Sequence, residues 1–300
     1  MTKAVAWLNA FRLRTLPLAL SSIIMGSLLA AFYNEFEWGI LIGASITTLF
    51  LQILSNLAND YGDTINGADH SGRQGPQRMV QSGAIGLRDM RIAIVVFAIL
   101  SLFSGLYLIY IAFRESLSFN GILFFLLGIA AIAAAMKYTM GKNPYGYKGM
   151  GDIFVLLFFG LVGVGGSFYM HSGWFTWLVL LPAFAVGMLS AGVLNLNNMR
   201  DEKSDREARK YTLVVRYGMG WSKRYHFILV IGAILSLLCF VALADYSISH
   251  FLFLVALPLF GRHLNVVHKA VNADDFDPEL KKLALSTLLV VLLFGVGLII

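Results

Sequence analysis

The chain has 300 residues, 58% of them hydrophobic and only 13% charged, with a mean hydropathy of +0.74. Soluble globular domains carry about a quarter charged residues, so this composition excludes one. The apolar residues fall in blocks of roughly 17–25, the length that crosses a bilayer as a helix, and they lack the alternation of a membrane barrel. Backbone in hydrocarbon must satisfy its own hydrogen bonds, so the blocks are helices.

Nine spans are predicted in chain order. The first covers 16–33 and follows a basic N-terminus with Lys3, Arg12 and Arg14. No short apolar core with a small-residue cleavage site follows these charges, so no cleavable signal is expected. The second, 38–59, runs into Asn56-Leu57-Ala58-Asn59-Asp60-Tyr61-Gly62-Asp63. The third and fourth, 91–113 and 120–138, end on Lys137 and Tyr138. The fifth, 152–170, is crowded with Gly160, Gly163, Gly165 and Gly166, which reads as a close helix contact rather than a phosphate loop. The sixth, 174–197, closes on a second polar cluster from Asn197 to Asp205. The seventh and eighth cover 225–244 and 248–267 and carry the lone Cys239 in an apolar run, with no intrachain partner. The ninth, 280–300, follows Asp277-Pro278-Glu279, which reads as an N-cap with proline at the first helical position. Pro17, Pro182 and Pro258 lie inside apolar runs, where kinks are expected.

The connections alternate between short and long. Of the 23 Lys and Arg, 22 fall on the N-terminus and the long loops, and Arg114 alone falls on the other side. This is the positive-inside pattern, and it accounts for the net charge of +6 without nucleic acid. It places the N-terminus and the long loops in the cytoplasm and the C-terminus outside. The expected fold is all-α and polytopic: one transmembrane domain over 1–300, with oligomeric state left open.

Both polar clusters then lie at cytoplasmic helix ends. At about 100° per residue, Asn56, Asn59, Asp60 and Asp63 share a face. Asn197, Asp201 and Asp205 stack at i, i+4 and i+8. Such groups are costly in hydrocarbon and imply function. Amide and carboxylate oxygens are hard ligands suited to Mg²⁺, and no His or Cys accompanies them. Two facing oxygen ladders call for an anionic substrate that bridges two Mg²⁺ ions, most naturally a diphosphate. Arg73, Arg78, Lys137, Lys148 and Arg200 are candidate cations for charge growing on a leaving diphosphate. Tyr61, Tyr138, Tyr145 and Tyr147 lie near the same mouth, where rings shield a carbocation by cation–π attraction; an interfacial aromatic belt is the competing reading. The six histidines are scattered and read as structural or interfacial. The site then accepts a lipid diphosphate whose tail lies between helices in the bilayer. A cation-coupled carrier using intramembrane acids is the reading from another class.

The motifs resemble those of UbiA-superfamily intramembrane prenyltransferases. Asn59-Asp60-Tyr61-Gly62-Asp63 is similar to the NDxxD core of their first motif, and Asp201-Glu202-Lys203-Ser204-Asp205 to their DxxxD second motif. Further stretches resemble the branch acting on 1,4-dihydroxy-2-naphthoate: Gly75-Pro76-Gln77-Arg78, residues 143–152, residues 195–201, and Thr212-Leu213-Val214-Val215-Arg216. The resemblance runs from about residue 12 to the end. It implies Mg²⁺-dependent prenyl transfer from a polyprenyl diphosphate to dihydroxynaphthoate with loss of CO₂, giving demethylmenaquinone, in a bacterial inner membrane. Another acceptor, such as 4-hydroxybenzoate, is the alternative within the family. Asn59, Asp60, Asp63, Asp201 and Asp205 are the implied metal-diphosphate ligands. Asn56, Asn197, Arg200, Arg73, Arg78, Lys137 and Lys148 are implied substrate contacts, and Tyr138 would line the cation pocket. The first motif departs from the family pattern where a further acid is expected: that position is Gly67, with Asp69 two residues on. Near the N-terminus, Leu13 stands where a proline is common.

Overall fold

The computed structural model describes residues 2–69, 75–114, 118–244 and 247–300. Among the described residues nine helical segments are long and apolar enough to cross a membrane, and there is no strand. In chain order the α-helices are α1 Lys3–Phe11, α2 Leu16–Phe32, α3 Trp38–Ile65, α4 Leu87–Phe113, α5 Phe119–Lys137, α6 Gly151–Val155, α7 Ser167–Ser172, α8 Leu180–Arg200, α9 Glu202–Glu207, α10 Leu213–Tyr217, α11 Met219–Leu243, α12 Leu257–Lys269 and α13 Ala273–Ile299. A π-helical stretch, Leu156–Gly166, joins α6 to α7 in the fifth span.

The predicted spans are right in number and order. The helices are longer at the end that carries the polar clusters: α3 runs on to Ile65, α11 begins at Met219 and α13 at Ala273. Hydropathy detects only the part of a helix in hydrocarbon, whereas i→i−4 bonding continues past it. The acidic first motif is therefore the last two turns of a membrane helix, not a loop after it.

Helix starts differ from expectation in three places. Pro17 and Pro258 stand in the first positions of α2 and α12, where a missing N–H costs nothing. The N-cap of α13 is Asn272, which forms a reciprocal capping box with Asp275, so Pro278 lies inside the helix. The chain also has a short helix ahead of the first predicted span. Arg12 adopts a left-handed backbone (φ 51°) that stops α1, and a 3₁₀ turn over Leu13–Thr15 leads into α2.

Two apolar clusters flank a central space. The larger joins α2, α8, α11 and α13 around Met25, Leu189, Phe240, Phe253 and Phe294. The smaller joins α1, α3 and α4 around Leu54, Leu57 and Met90. In the larger cluster the fifth span touches α8 backbone to backbone. A Cβ on Gly160 would stand 2.6 Å from the Ala183 carbonyl oxygen and 3.1 Å from Gly187 Cα, which is the small-residue contact expected from its glycines. Between the clusters lies a cavity of about 410 Å³, walled by α2, α3, α4, α5, the fifth span, α8 and α13. Its walls are apolar along the spans, and its polar residues gather at the end where α3, α5 and α8 finish.

Candidate active site

The end of α3 divides its polar side chains between two tasks. Asn59 and Asp63, four residues apart, line the cavity. Asp60 turns away from it, and its carboxylate accepts from the backbone N–H of Met79 (3.1 Å) and Val80 (3.3 Å). It pins the loop after the first motif and, like Asp201 and Asp205, does not join Asn59 and Asp63 in the cavity wall. Asn56 borders the cavity, but its amide donates to the Phe11 carbonyl (2.9 Å) and to Thr15 Oγ1 (3.1 Å). It holds the break between α1 and α2, and with it Arg12 and Arg14 at the cavity mouth.

Gly62 explains how Tyr138 reaches the site. A Cβ there would lie 2.5 Å from Thr139 Oγ1 and 2.7 Å from the Thr139 carbonyl, so only glycine lets the end of α5 close on α3. Thr139 Oγ1 donates to the Ala58 carbonyl at 3.0 Å, and Asn66 Nδ2 donates to the Thr139 carbonyl at 2.8 Å. Tyr138 is thereby held in the cavity wall, edge-on to Tyr145 with ring centroids 5.4 Å apart. The Tyr138 phenol is uncharged at neutral pH, so the ring is neutral. Tyr61 instead packs in the smaller apolar cluster.

The second motif lies where α8 gives way to α9 at Asp201, whose backbone (φ −92°, ψ 10°) leaves the α-helical range. Arg200 is buried there and makes four hydrogen bonds. Its Nε and Nη2 donate to the two oxygens of Asp201 (2.8 and 2.9 Å), Nη2 also reaches Asn197 Oδ1 (2.7 Å), and Nη1 reaches Asp277 Oδ1 of α13 (2.6 Å). Arg200 thus orients Asp201 and Asn197, although it and Asn197 also border the cavity.

The two motifs meet at a residue that sequence reasoning did not single out. The Lys210 ammonium lies 3.4 Å from Asp63 Oδ2 and 3.4 Å from Asp205 Oδ1, with the Tyr147 ring centroid 5.4 Å away. Tyr147 Oη donates to Asp63 Oδ1 at 2.9 Å. Backbone bonds hold this arrangement: Tyr211 N–H donates to the Tyr147 carbonyl (3.0 Å) and Lys210 N–H to the Asp205 carbonyl (2.7 Å). Burial acts to lower the Lys210 ammonium, but Asp205 and Asp63 outweigh it and hold it well above the lysine range. Burial pushes the Asp205 carboxyl up to about 7 despite Lys210. Lys210 is one basic residue among eight in its loop, and no spacing sets it apart. The turn signal around it, Thr212 capping α10, was the one available cue.

The remaining predicted cations separate. Arg78 borders the cavity and pairs with Asp69 (3.4 Å), which places the displaced acid of the first motif on an arginine. Lys137 and Lys148 are exposed and outside the cavity lining; the Lys148 backbone carbonyl accepts from Arg216 Nη2 at 2.9 Å. Lys137 comes just before Tyr138 and Lys148 just after Tyr147, and both long side chains point away from the cavity wall. Arg73 lies outside the described residues.

Among the described residues no three His, Cys, Asp or Glu gather as a ready metal cage. The acids of the two motifs are instead bridged by an ammonium, a cation in the position where opposed carboxylates demand one. Asp205 Oδ2 is buried and has no hydrogen-bond partner, and the donors around the mouth are hard carboxylate and amide oxygens. This donor set fits Mg²⁺.

Comparison with known proteins agrees with this architecture. The chain matches the UbiA prenyltransferase family over residues 19–297. It is 41% identical to the 1,4-dihydroxy-2-naphthoate octaprenyltransferase of Haemophilus influenzae over 303 residues, covering 99% of this chain and 97% of that one. Among solved structures, a UbiA homologue from Aeropyrum pernix in its apo form superposes with a TM-score of 0.70 at 16% identity, covering 96% of this chain and 98% of that one. A UbiA homologue from Archaeoglobus fulgidus bound to DMAPP and Mg²⁺ gives 0.62 at 16% identity over the same shares. With nine membrane-length helices among the described residues and two acidic motifs facing one another across a buried lysine, the chain belongs to the UbiA prenyltransferase family.

Proposed function

We propose that the chain transfers a polyprenyl group from a polyprenyl diphosphate to 1,4-dihydroxy-2-naphthoate, with loss of CO₂, to give demethylmenaquinone in its reduced, naphthoquinol form. The observation that carries this reading is Lys210, which with Asp63 lines the polar end of an otherwise apolar cavity and binds Asp205 from behind that wall. The named activity of the Haemophilus influenzae relative, 41% identical over nearly the full length of both chains, supports the acceptor. The Archaeoglobus fulgidus homologue bound to DMAPP and Mg²⁺ supports the donor class and the metal.

Asn59, Asp63 and Asp205 would hold the metal, with Asp201 oriented by Arg200. Bound Mg²⁺ supplies positive charge to the diphosphate as its C–O bond breaks. Lys210 and Arg78 add cationic charge at the same mouth, where low dielectric strengthens it. The bond's electron pair leaves with the diphosphate, and the prenyl group becomes an allylic cation. The neutral Tyr138 ring, on the wall beside Asn59, faces that cation with its π electrons. An electron-rich ring carbon of the acceptor attacks, and the carboxylate departs as CO₂, returning its electron pair to the ring. The apolar walls exclude water from the cation. Asp60 and Asn56 act through backbone, one on the loop at Met79 and Val80, the other on the Arg12 turn.

The whole chain, 1–300, serves as one transmembrane domain in a bacterial inner membrane. The side bearing 22 of the 23 basic residues faces the cytoplasm, so the site draws its acceptor from there. To test the activity, membranes containing the protein are incubated with carboxyl-labelled dihydroxynaphthoate, a polyprenyl diphosphate and Mg²⁺. The expected result is labelled CO₂ together with a lipid-soluble naphthoquinol. A product formed only from 4-hydroxybenzoate in a parallel arm refutes the acceptor, and no product from either, beside an active control enzyme, refutes the reading.

A further inference from the structure

A string of four titratable side chains runs through the protein behind the second motif, outside the cavity lining. His226 of α11 and His263 of α12 face one another, Nε2 to Nε2, at 2.9 Å. His263 Nδ1 meets Glu279 Oε2 of α13 at 2.5 Å, and Lys282 Nζ donates to Glu279 Oε1 at 2.6 Å. His226, His263 and Glu279 are buried, and Lys282 is exposed. The wall beyond His226 is α8 at Gly192, which contributes no charge there. Buried ionisable groups are expensive, and well-packed apolar residues are usually as stabilising. Hydrogen-bonded polar strings of this kind fix one geometry.

The geometry that this string fixes is the start of α13. Asp277 and Glu279 lie two residues apart, about 200° around the helix, so they leave it on opposite faces. Asp277 accepts from Arg200, the residue that holds Asp201 and Asn197. Glu279 is held by His263. The first turns of α13 are therefore gripped from both sides, and a slip of the helix on the histidine side carries Asp277 away from Arg200. The same turns bring Leu280, Lys281 and Ala284 to the cavity. The His–His contact also limits the proton count: one ring nitrogen must accept, so two imidazolium rings would set N–H against N–H and break the string.

We infer that His226, His263 and Glu279 are positioning residues for the second acidic motif, acting through Asp277 and Arg200. This rests on the magnesium-diphosphate reading of the site. The test is the rise in unfolding temperature of the purified protein on adding inorganic pyrophosphate and increasing Mg²⁺, since a ligand that binds the folded state alone stabilises it. Acceptor kinetics are measured alongside. Glu279→Leu and His263→Leu are expected to raise the Mg²⁺ concentration for half the effect about tenfold and to lower kcat, with KM for the acceptor within twofold of the parent. Glu279→Gln, which still accepts from Nδ1, is expected to recover most of the loss. Combined with Asp277→Asn, Glu279→Leu should add little, because both act through one strut. Unchanged Mg²⁺ dependence in Glu279→Leu and His263→Leu overturns the inference, as do independent, additive effects with Asp277→Asn. If the leucine variants do not fold, His226→Asn and Lys282→Met carry the same test, with smaller shifts in the same direction expected and no shift overturning it. Absence of any Mg²⁺–pyrophosphate response in the parent protein refutes the site reading itself.

Discussion

At the scale of single residues, neighbouring acids on one helix have unlike partners. Asp63 and Asp205 face Lys210, while Asp60 is bound to backbone N–H groups. Asp63→Ala and Asp201→Ala are each expected to abolish turnover while the protein stays folded, as read by prenyl transfer and a melting curve. Near-normal turnover in either contradicts the proposed metal role. Asp60→Asn should behave differently. It weakens two charge-assisted bonds, costing about 1.5–3 kcal/mol of stability, and retains the Mg²⁺–pyrophosphate response that Asp63→Ala loses. Lys210→Met leaves two buried carboxylates facing one another without a cation. Breaking a buried pair in this way costs about 3–5 kcal/mol, so the metal-free variant should melt early and regain stability with Mg²⁺. Its kcat is expected to fall about 10²–10³-fold, the scale for one lost charge-stabilising group. A variant with unaltered melting and turnover would remove Lys210 from the site.

At the scale of elements, close backbone contacts set where functional groups arrive. The end of α5 reaches α3 because Gly62 has no side chain, and Tyr138 reaches the cavity because Thr139 is bound to Ala58. Gly62→Ala should push this turn outward. Overpacking of this kind costs about 1–3 kcal/mol, and turnover should drop more than stability because Tyr138 moves with the turn. A variant with full activity and a lowered melting temperature would separate Tyr138 placement from the Gly62 contact. The π-helical stretch in the fifth span packs against α8 at Gly160 and Gly187. Its apolar composition reads equally well as an α-helix, so nothing in the pattern of side chains announces the wider turn.

At the scale of the molecule, alternating helices bring the ends of α3, α5, α8 and α12 and the starts of α11 and α13 to one side, the side that holds the basic loops. The sidedness is directly testable because Cys239 is the single cysteine. With Cys239→Ser as background, Lys203→Cys should react with an impermeant maleimide only after cells are opened, and Glu35→Cys should react in intact cells. The reverse pattern overturns the proposed orientation.

Span number, helix order and the two acidic clusters are legible in the sequence because hydrocarbon tolerates one kind of segment, and because acids at the end of an apolar run stand out against it. That Asn59 and Asp63 share a helix face follows from the period of the helix alone. Which group each side chain meets depends on distant chain segments. Asp60 is taken by a loop 19 residues away, Asn56 by the α1 turn 45 residues away, and Lys210 meets Asp63 across 147 residues. Local pattern contains no record of such pairings. The long exposed side chains of Lys137 and Lys148 and the inward one of Lys210 look alike in the sequence, and only the burial imposed by the packed helices and loops tells them apart.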